Sequence, residues 1–362
     1  MRTLLVTNDF PPRPGGIQQF VHNLAVRLPE LVVYSSTWRD PRAFDAEQPF
    51  EVVREKTGVL LPTPAVAKRA QEIARAHDCD SVWFGAAAPL GLLAKGLGRR
   101  SVALTHGHEV GWAKLPGAKS LLRKIGRDVD VVTYLGEYTR VRLAPVMPRL
   151  ERLAPGVDVH TYHPGVDGAA IRKRHGLDDR PVVVCVSRLV PRKGQDMLIR
   201  AMPAIRRRVP DARLLIVGGG PDRKRLQKLA GDDVIFTGSV SWEELPAHYR
   251  AGDVFAMPCR TRNGGLDVEG LGIVFLEASA VGIPVVGGDS GGAPDAVRHG
   301  ETGWTVDGRD VPAIADRVAT LLEDRDLARR MGAAGRSWVE KEWRWETQAE
   351  RLTTLLRPDS RT

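Results

Sequence analysis

Short runs of β-branched and aliphatic residues recur along the chain, separated by helix-length segments. They fall at residues 4–7, 31–34, 82–84, 102–105 and 131–134, then at 182–187, 214–217, 234–237, 254–257 and 284–286. Many are apolar at consecutive positions, without alternation. That is the pattern of strands buried on both faces. Between them lie stretches of helical period, such as 193–209 and 310–323. This alternation of strand and helix predicts an α/β chain with parallel sheets.

The rhythm breaks once. Residues 154–168 are rich in Pro, Gly, Asp and His and have no apolar period. A domain boundary is placed there, giving an N-terminal domain over 1–160 and a second over 161–342. The expectation is two doubly wound domains with the carboxyl ends of their strands facing a cleft, where ligands bind in such folds. The last segment, 343–362, reads as a helix after the second domain, able to return to the first.

Composition adds the sign of the partner. The formal net charge is +9 over 362 residues, with 42 Arg against 11 Lys. Arginine suits phosphate recognition, because its planar fork grips two oxygens at once; a GC-rich coding sequence yields the same bias. A basic chain points to nucleotide, nucleic acid or an anionic membrane surface. No nucleic-acid motif or stacking aromatic platform accompanies the charge, so nucleic acid is not expected. Cys79, Cys185 and Cys259 are widely spaced, so neither a disulfide framework nor a zinc site is expected, and a reducing cytosol is the simplest setting. The apolar run at the N-terminus is too short for a signal peptide. No stretch approaches the length of a membrane span, so any membrane contact is expected to be peripheral.

Several segments carry candidate chemistry. After the first strand, Gly15 and Gly16 open a helix; this is either a plain tight turn or a place where backbone approaches a phosphate. The dinucleotide and P-loop fingerprints are both absent. Arg188 and Lys193 follow the first strand of the second domain. They form either a solvated basic loop or a diphosphate site able to stabilise a departing nucleoside diphosphate. The stretch 264–278 is the most informative. Glu269 can reach a sugar hydroxyl, the amides of Gly270, Leu271 and Gly272 can face a donor, and Glu277 can accept from a vicinal diol such as a ribose. A helix-capping role is the bland account of Glu269.

His106 ends a strand of the first domain and can exchange a proton or position a hydroxyl. His106-Gly107-His108-Glu109 also resembles part of a metal site, but no third ligand has suitable spacing. Two acidic triplets, Asp78-Cys79-Asp80 and Asp128-Val129-Asp130, lie just before strands and read as helix-to-strand connections. Residues 110–127 mix Trp112, Leu115, Leu121, Leu122 and Ile125 with Lys114, Lys119, Arg123, Lys124 and Arg127. This is either a surface helix packed on the core or a basic amphipathic segment for an anionic lipid surface.

Glu269 and Glu277, with seven residues between them, resemble the E-x7-E signature of the family 4 retaining glycosyltransferases of the GT-B fold. The Arg188…Lys193 pair, the Gly15-Gly16 loop and His106 fall where that family has its other donor-site elements. More narrowly, residues 8–12, 83–89, 105–112, 189–196 and 267–274 are similar to the actinobacterial phosphatidylinositol monomannoside mannosyltransferases. The resemblance covers nearly the whole chain. It implies GDP-mannose as donor, transfer with retention, and a phosphatidylinositol monomannoside acceptor at the cytoplasmic face of the plasma membrane, reached through roughly residues 112–127.

Carried onto this chain, the resemblance has Arg188 and Lys193 on the diphosphate and Glu277 on the ribose. Glu269 with Gly270, Leu271 and Gly272 holds the mannose, and Gly15 and Gly16 approach the donor. His106 sits by the anomeric centre. The turn 237–240, with Ser239 and Val240, lies near the base. It implies no cofactor and no essential metal. One departure is Gly136-Glu137, where small polar residues are expected near the acceptor. The alternative is a family 4 enzyme using another nucleotide sugar or a soluble acceptor. An epimerase or a pyridoxal-phosphate phosphorylase shares the architecture, but no signature for a phosphate-cofactor lysine is present.

Overall fold

The computed structural model describes residues 1–113 and 115–358. The chain divides into two compact units, one made of Met1–Gly156 with Trp345–Thr362 and the other of Val157–Arg344. The divisions thus fall at 156/157 and 344/345, where the sequence placed them at 160/161 and 342/343.

The first unit holds a parallel sheet of β1 (Thr3–Thr7), β2 (Leu31–Ser36), β3 (Glu51–Glu55), β4 (Ser81–Phe84), β5 (Arg100–Ala103), β6 (Val131–Tyr134) and β7 (Leu150–Arg152), in the order β3-β2-β1-β4-β5-β6-β7. Successive side chains of β1 go to opposite faces. Leu4 and Val6 join one buried cluster with Ile73, Leu122 and Ile125; Leu5 joins another with Phe20, Leu24 and Leu352. Helices therefore cover both faces, which is why the interior strands carry unbroken apolar runs.

The C-terminal helix Trp345–Leu356 belongs to the second of those clusters. Trp345, Ala349, Leu352 and Leu356 recur at helical spacing and are all buried. The chain enters it beside Gly156, where a Cβ would lie 2.5 Å from the Trp345 nitrogen; only glycine fits so close a backbone approach.

The second unit holds a six-stranded parallel sheet of β8 (Val182–Val186), β9 (Arg213–Val217), β10 (Val234–Gly238), β11 (Val254–Met257), β12 (Val285–Gly288) and β13 (Gly303–Val306), ordered β10-β9-β8-β11-β12-β13. Helices Gln195–Arg208 and Val311–Glu323 pack against each other beside it. Both units are Rossmann-like, so the α/β reading of the sequence holds.

Candidate active site

In each unit the candidate residues gather at the carboxyl ends of the strands, where parallel sheets leave loop backbone free to meet a ligand. The second unit is the richer. The loop after β8 carries Arg188, which is exposed and has no side-chain hydrogen bond or ion pair among the described residues. Its backbone is held from two sides. Gln195, 1% exposed, donates from Nε2 to the Ser187 hydroxyl at 2.8 Å and to the Arg188 carbonyl at 3.1 Å. The Gly218-Gly219-Gly220 run after β9 backs the same loop, with Leu189 N–H donating to the Gly219 carbonyl at 2.9 Å. A Cβ on Gly218 would meet the Ser187 carbonyl at 2.1 Å, and one on Gly219 the Ser239 hydroxyl at 2.5 Å. The glycines thus bring Ser239, which is exposed at the end of β10, beside the Arg188 loop; Val240 next to it is half-buried.

Lys193 precedes the helix Gln195–Arg208 and is buried. Gly194 at φ +78° turns the chain into that helix, where a Cβ would strike the Pro258 carbonyl at 1.9 Å. Lys193 Nζ lies 2.7 Å from Glu269 Oε2. Arg192 stands outside this pair, 3.9 Å from Glu269 and 3.4 Å from Asp267.

Glu269 is not a helix cap: the helix that follows, Ile273–Ala280, begins at Gly272, and no side chain caps it. The Glu269 N–H donates to Ser290 Oγ at 3.1 Å, and its carbonyl accepts from Gly292 N–H at 3.0 Å. The N–H groups of Gly270, Leu271 and Gly272 have no hydrogen-bond partner among the described residues. A row of free amides leading into a helix N-terminus suits an electronegative ligand. Two turns further on, Glu277 Oε2 accepts from the Tyr249 hydroxyl at 2.5 Å, and burial pushes the carboxyl up to about 7.

In the first unit, His106 follows β5, and its Nε2 lies 2.7 Å from the Gly85 carbonyl. A carbonyl only accepts, so Nε2 carries the hydrogen. Burial lowers the imidazole pKa, which keeps the ring neutral and leaves Nδ1 as an acceptor. Glu109, fully buried, receives the backbone N–H groups of His106 and Gly107 at 3.0 and 3.1 Å. It therefore shapes the turn that holds His106. Gly15, at φ +153°, precedes the helix Gly16–Ala25; a Cβ there would meet Gln18 Oε1 at 2.1 Å, whereas one on Gly16 would meet nothing within 4 Å.

The acidic triplets have structural partners. Asp80 accepts from Arg2 N–H at 2.9 Å, and Asp130 from the Ser101 N–H and hydroxyl at 2.8 and 2.9 Å. Among the described residues no three His, Cys, Asp or Glu side chains converge as a metal site. Of the segment 112–127, Leu122 and Ile125 are core while Leu115, Leu121, Arg123 and Arg127 are exposed. Lys114 lies outside the described residues. Among the described residues no helix is long and apolar enough to cross a membrane.

Some site residues went unrecognised in the sequence. The Gly287-Gly288-Asp289-Ser290-Gly291-Gly292 stretch, which ends β12 and forms the turn after it, presses on the Glu269 loop, with a Cβ on Gly291 only 2.0 Å from the Glu269 carbonyl. Its signal is visible: a glycine run that closes an apolar strand. Asp196, which grips Arg260 through two bonds of 2.8 and 3.0 Å, and Tyr249 carried no such signal.

Comparison with known proteins agrees with this geometry. Residues 14–167 match Glycosyltransferase Family 4, and residues 167–338 match Glycosyl transferases group 1. The chain is 55% identical to a GDP-mannose-dependent alpha-(1-6)-phosphatidylinositol monomannoside mannosyltransferase of Mycolicibacterium smegmatis, over 98% of this chain and 97% of that one. It is 49% identical to a GDP-mannose-dependent monoacylated alpha-(1-6)-phosphatidylinositol monomannoside mannosyltransferase of Corynebacterium glutamicum, over 99% of each. Among solved structures, Anabaena Alr3699/HepE in complex with UDP superposes with a TM-score of 0.80 at 20% identity, covering 98% of this chain and 99% of that one. Both sheets, the glycine-backed loops at their carboxyl ends and full-length kinship thus agree that this chain belongs to the family 4 glycosyltransferases of the GT-B fold.

Proposed function

We propose that the chain transfers mannose, as an α-mannoside and with retention, from GDP-mannose to phosphatidylinositol monomannoside, giving the dimannoside. The observation that carries this reading is the Lys193–Glu269 pair, with the unpaired Arg188 in the loop leading to Lys193 and free backbone amides directly after Glu269, in a chain about half identical, end to end, to enzymes of that name.

Each group then has a task. Arg188 and Lys193 bind the diphosphate and stabilise its charge as the glycosidic bond breaks. Glu269 and the amides of Gly270, Leu271 and Gly272 hold the mannose. Glu277 accepts the ribose diol, with Ser239 and Val240 near the base, and Gly15 and Gly16 approach the donor. His106 accepts a hydrogen bond from a sugar hydroxyl through Nδ1. With no carboxylate assigned as nucleophile, the acceptor hydroxyl attacks on the face the diphosphate leaves. A departing phosphate oxygen takes its proton. The two cations take the charge-stabilising role, and no essential metal is required.

The acceptor is a membrane lipid, and we place the enzyme peripherally on the cytoplasmic face. The helix Pro116–Asp128 supports this. Leu115 and Leu121 are 59% and 45% exposed beside exposed Arg123 and Arg127, which suits an anionic surface.

The test is to supply GDP-mannose and phosphatidylinositol monomannoside in vesicles, with and without a chelator. Mass spectrometry should show one added hexose and NMR an α-anomeric signal, unchanged by chelation. Turnover with UDP-glucose or a soluble acceptor in place of these, and none with them, overturns the reading.

A further inference from the structure

Tyr249 lies in the helix Leu245–Arg250 and is fully buried, yet its hydroxyl ends on a carboxylate, Glu277 Oε2, at 2.5 Å. Both ends of this contact are anchored. The Tyr249 ring packs at 5.8 Å on Tyr162 and at 5.7 Å on Phe255 of β11. Phe255 in turn meets Phe275 edge-on at 5.8 Å, and Phe275 sits two residues before Glu277 in the same helix. Glu277 Oε1 has no hydrogen bond among the described residues, and it is absent from the sealed, unsatisfied polar atoms.

We propose that Tyr249 is a positioning residue for donor binding, holding Glu277 so that Oε1 and the remaining lone pair of Oε2 accept the two hydroxyls of the donor's ribose. The proposal rests on the reading of Glu277 as the diol acceptor. A carboxylate offers about four acceptor sites. Tyr249 occupies one and fixes the rotamer, so the other three keep one orientation before the nucleotide arrives. Preorganisation of this kind raises affinity without adding a contact to the ligand. A tyrosine that merely satisfied a buried carboxyl would stabilise the fold and leave nucleotide selectivity alone.

Calorimetric titration with GDP and with 2′,3′-dideoxy-GDP separates the two. The wild type should bind GDP at least about tenfold more tightly than the dideoxy analogue, the worth of a good hydrogen bond to a charged group. Tyr249→Phe keeps the ring packing and removes the hydroxyl. It should lose most of that preference through weaker GDP binding, with dideoxy-GDP binding changed less than about twofold. KM for GDP-mannose should rise accordingly while kcat holds. Tyr249→Met is the second variant, and thermal melting verifies that each is folded. A folded Tyr249→Phe that keeps the wild-type preference, while Glu277→Gln loses it, overturns the positioning role and leaves the diol reading intact. A wild type without any preference overturns both.

Discussion

Lys193 Nζ stands 2.7 Å from Glu269 Oε2, both side chains being about one-tenth exposed. The two opposite charges are paired. A donor diphosphate would draw on the lysine while the sugar hydroxyls would draw on the glutamate. Removing Lys193 leaves the buried Glu269 with only the more distant Arg192, 3.9 Å away, a loss bounded by the roughly 3–5 kcal/mol of breaking a buried pair. Lys193→Met should therefore lower both stability and rate. The paired variant Lys193→Met/Glu269→Gln should recover most of the stability, read as the denaturation midpoint. Its kcat should stay at least about tenfold below wild type, because the leaving diphosphate lacks its cation. Recovery of rate together with stability would show that Lys193 acts only as a counterion.

Glu277 makes stability depend on pH in a direction unusual for a carboxylate. Burial raises its pKa from 4.5 to about 7 in the folded state. The folded chain therefore holds this proton more tightly than the unfolded chain. The stabilisation is complete below pH 4.5 and is lost as pH rises through about 7, a change of about 3 kcal/mol for this group. Glu277→Gln cannot titrate, so the stability difference between variant and wild type should swing in the variant's favour between pH 5 and 8. Parallel denaturation curves for the two proteins across that range would refute the assignment.

The interior of each sheet was legible because both faces of its strands are covered. β1, β4, β8 and β11 read as plain apolar runs. The strands missed, β3, β7 and β13, all lie at sheet edges. In β3, Glu51 is exposed and the four following residues are half-buried, so the Glu-Val-Val-Arg-Glu sequence carries no continuous run. The site divides in the same way. Arg188, Lys193, Glu269 and Glu277 stand in a glycine-marked pattern, whereas Tyr249 is an ordinary buried aromatic by composition. Only the fold, bringing it across 28 positions to Glu277, gives its hydroxyl a partner. The tautomer of His106 was likewise beyond the sequence, because the Gly85 carbonyl that sets it comes from another loop.

With Nε2 committed to the Gly85 carbonyl, Nδ1 is the ring's free acceptor, and the proposed task for it is to receive a sugar hydroxyl and not to carry a proton. His106→Ala should lower kcat/KM for GDP-mannose by about tenfold, the worth of one hydrogen bond to the sugar. GDP binding should be unchanged, since GDP lacks the mannose. The lowered imidazole pKa further predicts that His106 contributes no inflection to the pH–rate profile above pH 6.5. An inflection present in wild type and abolished in His106→Ala would instead mark His106 as a general acid or base.

On the helix Pro116–Asp128, neighbouring leucines should behave in opposite ways. Leu122 is fully buried in the core cluster, whereas Leu121 is 45% exposed beside Arg123. Leu122→Asp places an unpaired charge in the core and should cost about 3 kcal/mol or more of stability. Leu121→Asp should leave the melting temperature within a few degrees of wild type, because surface substitutions of this sort stay near ±0.5 kcal/mol. On the proposed membrane role it should nonetheless weaken sedimentation with phosphatidylglycerol vesicles, by removing one exposed apolar side chain and opposing the charge of Arg123. The Arg123→Glu/Arg127→Glu variant should flatten the salt dependence of vesicle binding, since surface attraction of this kind is screened within about 10 Å at 0.1 M salt. If Leu121→Asp and the double arginine variant both sediment as wild type does, this helix is an ordinary surface helix and the lipid is met elsewhere.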